Sequence, residues 1–301
     1  MVRSDDPTAL RQANVLAGAL PPLLVAAQRV AATVLQGVHG RRRVGQGDAF
    51  WQFRQYRQGD SINRIDWRQS AKGRSIYVRE TEWEAAASVW LWRDGSPSMA
   101  FTSGHGVPMK RERAEVLLLA LATLLVDAGE RVALLGGDRP VTGHAAPRRL
   151  AGGLATDAMV RPHDSLPPLL PLPSHGHLVM IGDLLDPLPK IEEIVRSYAS
   201  QGVRGHLLQV LDPAEEDLPY DGHVRFSGLE KEGDHLIRRV EAVREAYSGR
   251  LRAQKDGLAQ IAASVGWTWR AHRTDRPPET ALMSLYVAMA DLGARPARWS
   301  A

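Results

Sequence analysis

The sequence predicts an α/β fold, a mainly parallel sheet covered by helices on both faces. From Ser75 onward, short apolar and β-branched runs alternate with helical stretches, the order expected of a doubly covered parallel sheet. The stretch from about Lys110 to Ala128 is apolar around its whole circumference at its centre, so it belongs inside the fold. Two aspartates, Asp94 and Asp183, stand at the ends of strand-like runs, where parallel sheets gather their binding sites.

Each element follows in order. The opening section to about Leu35 is rich in Ala and Leu and reads as helix, interrupted at Pro21-Pro22. Residues 36–75 are basic, glycine-punctuated and aromatic, with no long period. Ser75 to Glu82 and Ala86 to Arg93 read as strands, the second carrying Val89, Trp90, Leu91 and Trp92. That strand runs into Asp94-Gly95-Ser96-Pro97-Ser98-Met99. Gly129 is placed to cap the long helix that follows, and Arg131 to Gly136 suits a short buried strand. A helix near Pro147 to Met159 leads into a proline-rich loop, Leu166 to Pro173. Strand His177 to Ile181, helix Leu188 to Gln201 and strand Gly205 to Leu211 continue the alternation. An extended piece at His223 to Phe226 precedes a helix from Asp234 to Val265, with a break expected near Gly249 or Gly257. Trp267 to Ala271 is the last strand and Pro278 to Leu292 the last helix. The chain thus divides into a helical and basic segment, 1–74, and an α/β domain, 75–301.

Composition narrows the function. With 44% hydrophobic and 24% charged residues the chain can build a sizeable core. It has no cysteine, which excludes disulfides, thiol catalysis and cysteine-bound metals and fits a reducing compartment. The apolar stretch Val116 to Val126 falls short of the ~20 residues of a membrane span. Val15 to Leu35 is broken by prolines and carries Gln28 and Arg29. Asp5 and Asp6 stand where a secretory signal needs positive charge, so the expected location is the cytoplasm. Residues 40–80 hold ten basic and four acidic side chains, a surplus of six, whereas the whole chain nets only +4. Positive charge is therefore concentrated on one face.

Asp94-x-Ser96-x-Ser98 is the sharpest chemical signal. After a strand, that spacing lets one tight loop turn a carboxylate and two hydroxyls toward one point. These are hard oxygen donors suited to Mg²⁺ or Mn²⁺. Asp183 can add a water-mediated contact; the plainer alternative is that Asp94 and Ser98 cap the loop and the next helix. Gly45-x-Gly47-x-x-Phe50 lacks the third glycine of a dinucleotide loop. Ser96, in Gly95-Ser96-Pro97, is not in a nucleophile elbow, and His175-x-His177 lacks a carboxylate at metal-site spacing. A metal-dependent phosphohydrolase would need more carboxylates around the ion. The basic segment 41–79, with Trp51, Phe53, Tyr56, Trp67 and Tyr77, has the residue types that bind nucleic acid. The competing reading packs those aromatics against the α/β domain and pairs Asp60 and Asp66 with arginines.

Several ordered motifs lie just before the loop. Gly45-x-Gly47-Asp48-x-Phe50 is followed by Arg54-x-Tyr56-x-x-Gly59-Asp60, then Arg64-Ile65-Asp66-Trp67-x-x-Ser70-Ala71-Lys72, then Val78-Arg79-Glu80. In these the chain resembles the bacterial family known as domain of unknown function 58, whose members resemble von Willebrand factor A domains. The likeness covers residues 45–100 and continues more loosely through Arg244-x-x-Tyr247 and Thr274-Asp275. It implies a non-enzymatic interaction module, an adaptor or co-chaperone for a MoxR-type AAA+ ATPase and a client protein; the apolar stretches weighed above give no expectation of membrane insertion. It also implies a metal-dependent adhesion (MIDAS-type) loop holding Mg²⁺ or Mn²⁺ that binds a partner's acidic side chain. Asp94, Ser96 and Ser98 match the first part of that loop and Asp183 the last, and Thr142 is nearest in chain order to the middle threonine. Gly45, Gly47, Arg54, Tyr56, Gly59, Asp60, Arg64, Asp66 and Trp67 are then structural or partner-binding.

Overall fold

The computed structural model describes residues 22–36, 50–56, 65–73, 75–81, 87–104, 106–160, 165–229 and 233–291. Helix α1 is described over residues 22–36, and Pro21 of the expected break lies outside the described residues. It buries Ala27, Val30, Ala31 and Val34, one face at helical spacing, in the same apolar cluster as the later helices. Strand β1 (Phe50–Gln55) pairs antiparallel with β2 (Tyr77–Thr81), and the short helix α2 (Trp67–Ser70) lies between them. The division expected after residue 74 therefore falls inside a strand pair.

The central sheet is five parallel strands: β3 (Ser88–Arg93), β4 (Arg131–Leu134), β5 (His177–Gly182), β6 (Arg204–Leu211) and, after a small antiparallel ribbon, β9 (Thr268–Arg273), in the order β4-β3-β5-β6-β9. The ribbon is β7 (Val224–Ser227) with β8 (Asp234–Ile237), so the helix expected from Asp234 begins later. The other α-helices among the described residues are α3 (Lys110–Asp127), α4 (Ala146–Val160), α5 (Leu188–Ser200), α6 (Pro213–Asp217), α7 (Val240–Ser264) and α8 (Pro278–Asp291). Helix α7 runs unbroken through both glycines. At Gly257 a Cβ would lie 2.3 Å from Leu188 Cδ1, so the missing side chain admits α5 instead of ending the helix.

Alternation in β3 explains the two-sided core. Val89 and Leu91 join α1, α3, α4 and α8 on one face; Trp90 and Trp92 join α5, α7 and the proline-rich loop on the other. Leu117 to Ala122 of α3 are all buried, as its unbroken apolar run requires. Among the described residues no helix is long and apolar enough to cross a membrane.

At the N-terminal edge of the sheet, His177 and His206 stack with ring centroids 5.7 Å apart and planes 3° from parallel. His206 Nδ1 lies 2.8 Å from Thr268 Oγ1. Burial, with Arg204 nearby, lowers His177 from 6.5 to about 4; burial, then His177 and Arg204, lower His206 to about 3. Unfolded histidines take up protons first as pH falls, so this stability is complete above about pH 6.5 and drains away toward pH 4. His177 alone accounts for about 3 kcal/mol. The melting temperature should fall steeply from pH 6.5 to 4.5, and less steeply in His177→Gln; parallel profiles would contradict the assignment.

Candidate cation loop at the sheet switch point

From β3 the chain moves outward to β4, then returns past β3 to β5, so the strand order reverses between β3 and β5. Open parallel sheets form their binding crevice at that reversal, outside the carboxyl ends of the strands. Asp94 follows the last residue of β3 and Asp183 the last residue of β5. The Asp94 amide donates to the Ile181 carbonyl at 2.9 Å, which carries the pairing one step beyond the strand. Arg93 clamps the base of the loop: its guanidinium donates to the Asp94 carbonyl at 2.8 Å and lies 3.4 Å from Glu115 of α3.

Within the loop, Asp94 Oδ1 accepts the Ser96 amide at 2.8 Å, while Oδ2 is buried without a hydrogen-bond partner among the described residues. Ser98 donates to Asp183 Oδ2 at 2.6 Å, and the Ser96 and Ser98 hydroxyls are 2.9 Å apart. With the Ser98 proton directed at Asp183, Ser96 must donate to Ser98, which leaves lone pairs on Ser96 Oγ. Asp94 and Ser96 are buried and Ser98 is half-buried, so the loop opens to solvent at Ser98. The proposed ligand set is therefore brought together: Asp94, Ser96, Ser98 and Asp183.

Gly182 makes this convergence possible. A Cβ there would sit 2.6 Å from Asp94 Cβ and 2.9 Å from Asp94 Oδ2. Gly182→Ala should push the Asp94 carboxylate aside at a cost of about 1–3 kcal/mol in stability. Cation-dependent stabilisation should vanish with it, read as a melting temperature that no longer responds to Mg²⁺. A normal response would mean that the loop tolerates displacement.

Two further residues complete the site. Lys110, the first residue of α3, is fully buried, with Nζ 3.0 Å from Asp183 Oδ2 and 2.5 Å from Glu215 Oε1. Glu215 belongs to a capping box on α6: its Oε2 accepts the Asp212 amide at 2.8 Å, and Asp212 Oδ1 accepts the Ala214 amide at 2.8 Å. Burial works to lower the Lys110 pKa, but the carboxylates of Asp183 and Glu215 outweigh it and raise it, so the ammonium stays charged. Burial first, then the charge of Asp183, pushes the Asp94 carboxyl up to about 7, against the hydrogen bonds of Ser96 and the charge of Lys110. Asp94, Asp183 and Glu215 thus cluster around the Lys110 ammonium beside an unsatisfied oxygen, while the guanidiniums of Arg93 and Arg111 are turned to the backbone carbonyls of Asp94 and Ser96. A hard divalent cation fits that donor set.

Thr142 does not join it. Val141 bridges antiparallel to Val132, which is level with Val89 near the start of β3, and the chain then runs on away from the Asp94 end. Among the described residues, no group of three or more His, Asp or Glu side chains is arranged to hold a metal by itself. The loop's donors are mixed carboxylate and hydroxyl.

The family model described as "Protein of unknown function DUF58" matches residues 52–257. The chain belongs to the DUF58 family. DUF58 relatives include uncharacterized proteins of Mycobacterium bovis and Mycobacterium tuberculosis, each 26% identical over 284 residues, 87% of this chain and 86% of theirs. Among solved structures, the chain is similar to an aerotolerance-related membrane protein of Bacteroides fragilis, with TM-score 0.40 and 18% identity over 68% of this chain and 100% of that one. A conserved hypothetical protein, BatB, of Bacteroides thetaiotaomicron matches with TM-score 0.38 and 17% identity over the same shares. The α/β class expected from the sequence, a mainly parallel sheet with helices on both faces, is the class of this DUF58 fold.

Of the DUF58 signature residues, Gly45, Gly47, Gly59, Asp60 and Arg64 lie outside the described residues, and Arg54 is described only as backbone in β1. Asp66 has an architectural role. Its carboxylate accepts the Gln69 amide at 2.8 Å and caps α2, and its amide donates to the Tyr77 carbonyl at 2.9 Å. Tyr56 ties β1 to the segment before β2 through its amide, which donates to the Ile76 carbonyl at 2.8 Å. Trp67 is 63% exposed, so this aromatic is not packed inward against the α/β domain.

Proposed function

We propose that this DUF58 chain is a non-enzymatic adaptor that docks an acidic side chain of a protein partner through a divalent cation held by Asp94, Ser96 and Ser98, with Asp183 in support. The observation that carries it is the buried, unpartnered Asp94 Oδ2 beside two hydroxyls at the sheet's switch point. A cation bound there supplies positive charge and open coordination positions for an outside carboxylate. The chain's residues do the remaining work. Asp94 fixes the loop through the Ser96 amide, Ser98 links the loop to Asp183, and Gly182 leaves room for the carboxylate.

The surroundings favour a macromolecular partner. Met109, immediately before Lys110, is 40% exposed, and Leu185, just after Asp183, is 43% exposed, so apolar side chains flank a polar centre. The partner of this reading is the one that the resemblance implies, a MoxR-type AAA+ ATPase, and the reading takes the complex to be cytoplasmic. Affinity capture from native cell extract, in Mg²⁺ and in EDTA, tests it. The account expects a MoxR-type ATPase, identified by mass, retained only with Mg²⁺ and only by a chain with Asp94 intact. Retention unaffected by EDTA or by loss of Asp94 would refute the cation mechanism.

A further inference from the structure

The cation loop alone leaves the role of Lys110 open. A lysine side chain with no solvent exposure is uncommon, and this one lies at the rim where the cation donors converge. Its ammonium shares one oxygen with the loop: Asp183 Oδ2 accepts both Lys110 Nζ, at 3.0 Å, and the Ser98 hydroxyl, at 2.6 Å. Asp183 Oδ1 turns toward the Leu185 amide, 3.4 Å away. Glu215 holds the ammonium from the other side at 2.5 Å. Glu215 is itself fixed, because its second oxygen takes the Asp212 amide and its carbonyl takes the Tyr247 hydroxyl at 2.7 Å. The ammonium therefore cannot swing to solvent without giving up both carboxylates.

Resting on the reading of the loop as a cation site, we propose that Lys110 is an internal counter-ion that competes with the divalent cation for Asp183 and so sets how loosely the loop holds it. The electrostatics are direct. An ion bound to Asp94 Oδ2, Ser96 and Ser98 meets a fixed positive charge bonded to the carboxylate that would otherwise neutralise it. Water screens little of this repulsion, because Asp94, Asp183 and Lys110 are all buried. The same ammonium restrains Asp183 from turning in as a direct ligand. Such a site takes one divalent ion with modest affinity, and the acidic group of a partner supplies the missing negative charge.

The test uses Mn²⁺ alone as probe, titrated into the full chain, with free Mn²⁺ followed by electron paramagnetic resonance. Lys110→Met removes the charge while keeping an unbranched side chain. It is expected to bind Mn²⁺ roughly tenfold more tightly or better, since two carboxylates lose their counter-ion. Lys110→Arg, which keeps the charge, should stay near wild type. Glu215→Gln serves if Lys110→Met does not fold. It removes one negative charge from the cluster and leaves the ammonium to Asp183, so Mn²⁺ binding should weaken several-fold. Unchanged or weaker binding in a folded Lys110→Met, or unchanged binding in Glu215→Gln, overturns the proposal while the cation loop stands if wild type binds. Failure of wild type, Lys110→Met and Glu215→Gln alike to bind Mn²⁺ overturns both.

Discussion

Asp94→Asn is expected to raise the stability of the cation-free protein and to abolish its response to Mg²⁺. The side chain of Asp94 is fully buried; one oxygen takes the Ser96 amide and the other has no hydrogen-bond partner among the described residues. A buried carboxylate facing Asp183 is stable only to the extent that a positive charge answers it, and Lys110 lies nearer to Asp183 and Glu215. Asparagine keeps the acceptor for the Ser96 amide and removes the repulsion. In EDTA the variant should gain on the order of 1–3 kcal/mol. Wild type should regain the difference as Mg²⁺ rises, by mass action on the folded state, and the variant should not. Melting curves of both proteins with and without Mg²⁺ read this directly. A variant that is less stable in EDTA, or that still responds to Mg²⁺, contradicts the assigned role. Loss of activity with gain of stability is the usual mark of a residue kept for function.

The largest purely structural effect is expected at Gly205. This residue begins the buried stretch of β6, and a Cβ there would lie 1.9–2.2 Å from carbons of the Trp267 indole. The ring cannot simply retreat. It is only 5% exposed, and its Nε1 donates to the Val203 carbonyl at 3.1 Å, which anchors the entry to β9 against the entry to β6. Gly205→Ala must displace a large ring or separate a pair of strands, at a cost of about 3 kcal/mol or more. For a chain of this size that is roughly a 6–12 °C fall in melting temperature. Trp267→Leu combined with Gly205→Ala should recover some of the loss, because the smaller side chain makes room for the new methyl. An alanine variant as stable as wild type would mean that the indole moves freely, contrary to its packing.

The strand–helix order was legible because β3 and β5 are nearly continuous apolar runs and the centre of α3 is apolar all round, patterns that suit a doubly covered sheet. Asp94, Ser96, Ser98 and Asp183 were legible for the same reason: a strand end is a local feature, and two strand ends in one parallel sheet point to one rim. What the sequence hid depends on distance along the chain. Lys110 and Glu215 are 105 residues apart and meet only through the packing of α3 beside α6. Lys110 opens a charged first turn, followed by Arg111, Glu112 and Arg113, so nothing local marks it out from its neighbours. Thr142 was placed by chain order alone, and the bridge from Val141 to Val132 carries it toward the wrong end of the strands. Residues 234–237 read as helix because they adjoin a long helical stretch, yet pairing with β7 makes them strand. Asp66 illustrates a third limit, since a carboxylate among arginines draws attention to ion pairs and away from the local cap it makes with the amide of Gln69, three residues on.

Uptake of Mn²⁺ at equilibrium, compared between wild type and Asp94→Asn, tests the central claim most directly. Saturable binding of one Mn²⁺ per chain by wild type and none by the variant is the predicted result. Equal saturable binding by the two, or no saturable binding by wild type and Lys110→Met alike, would contradict a cation site at the β3–β5 rim.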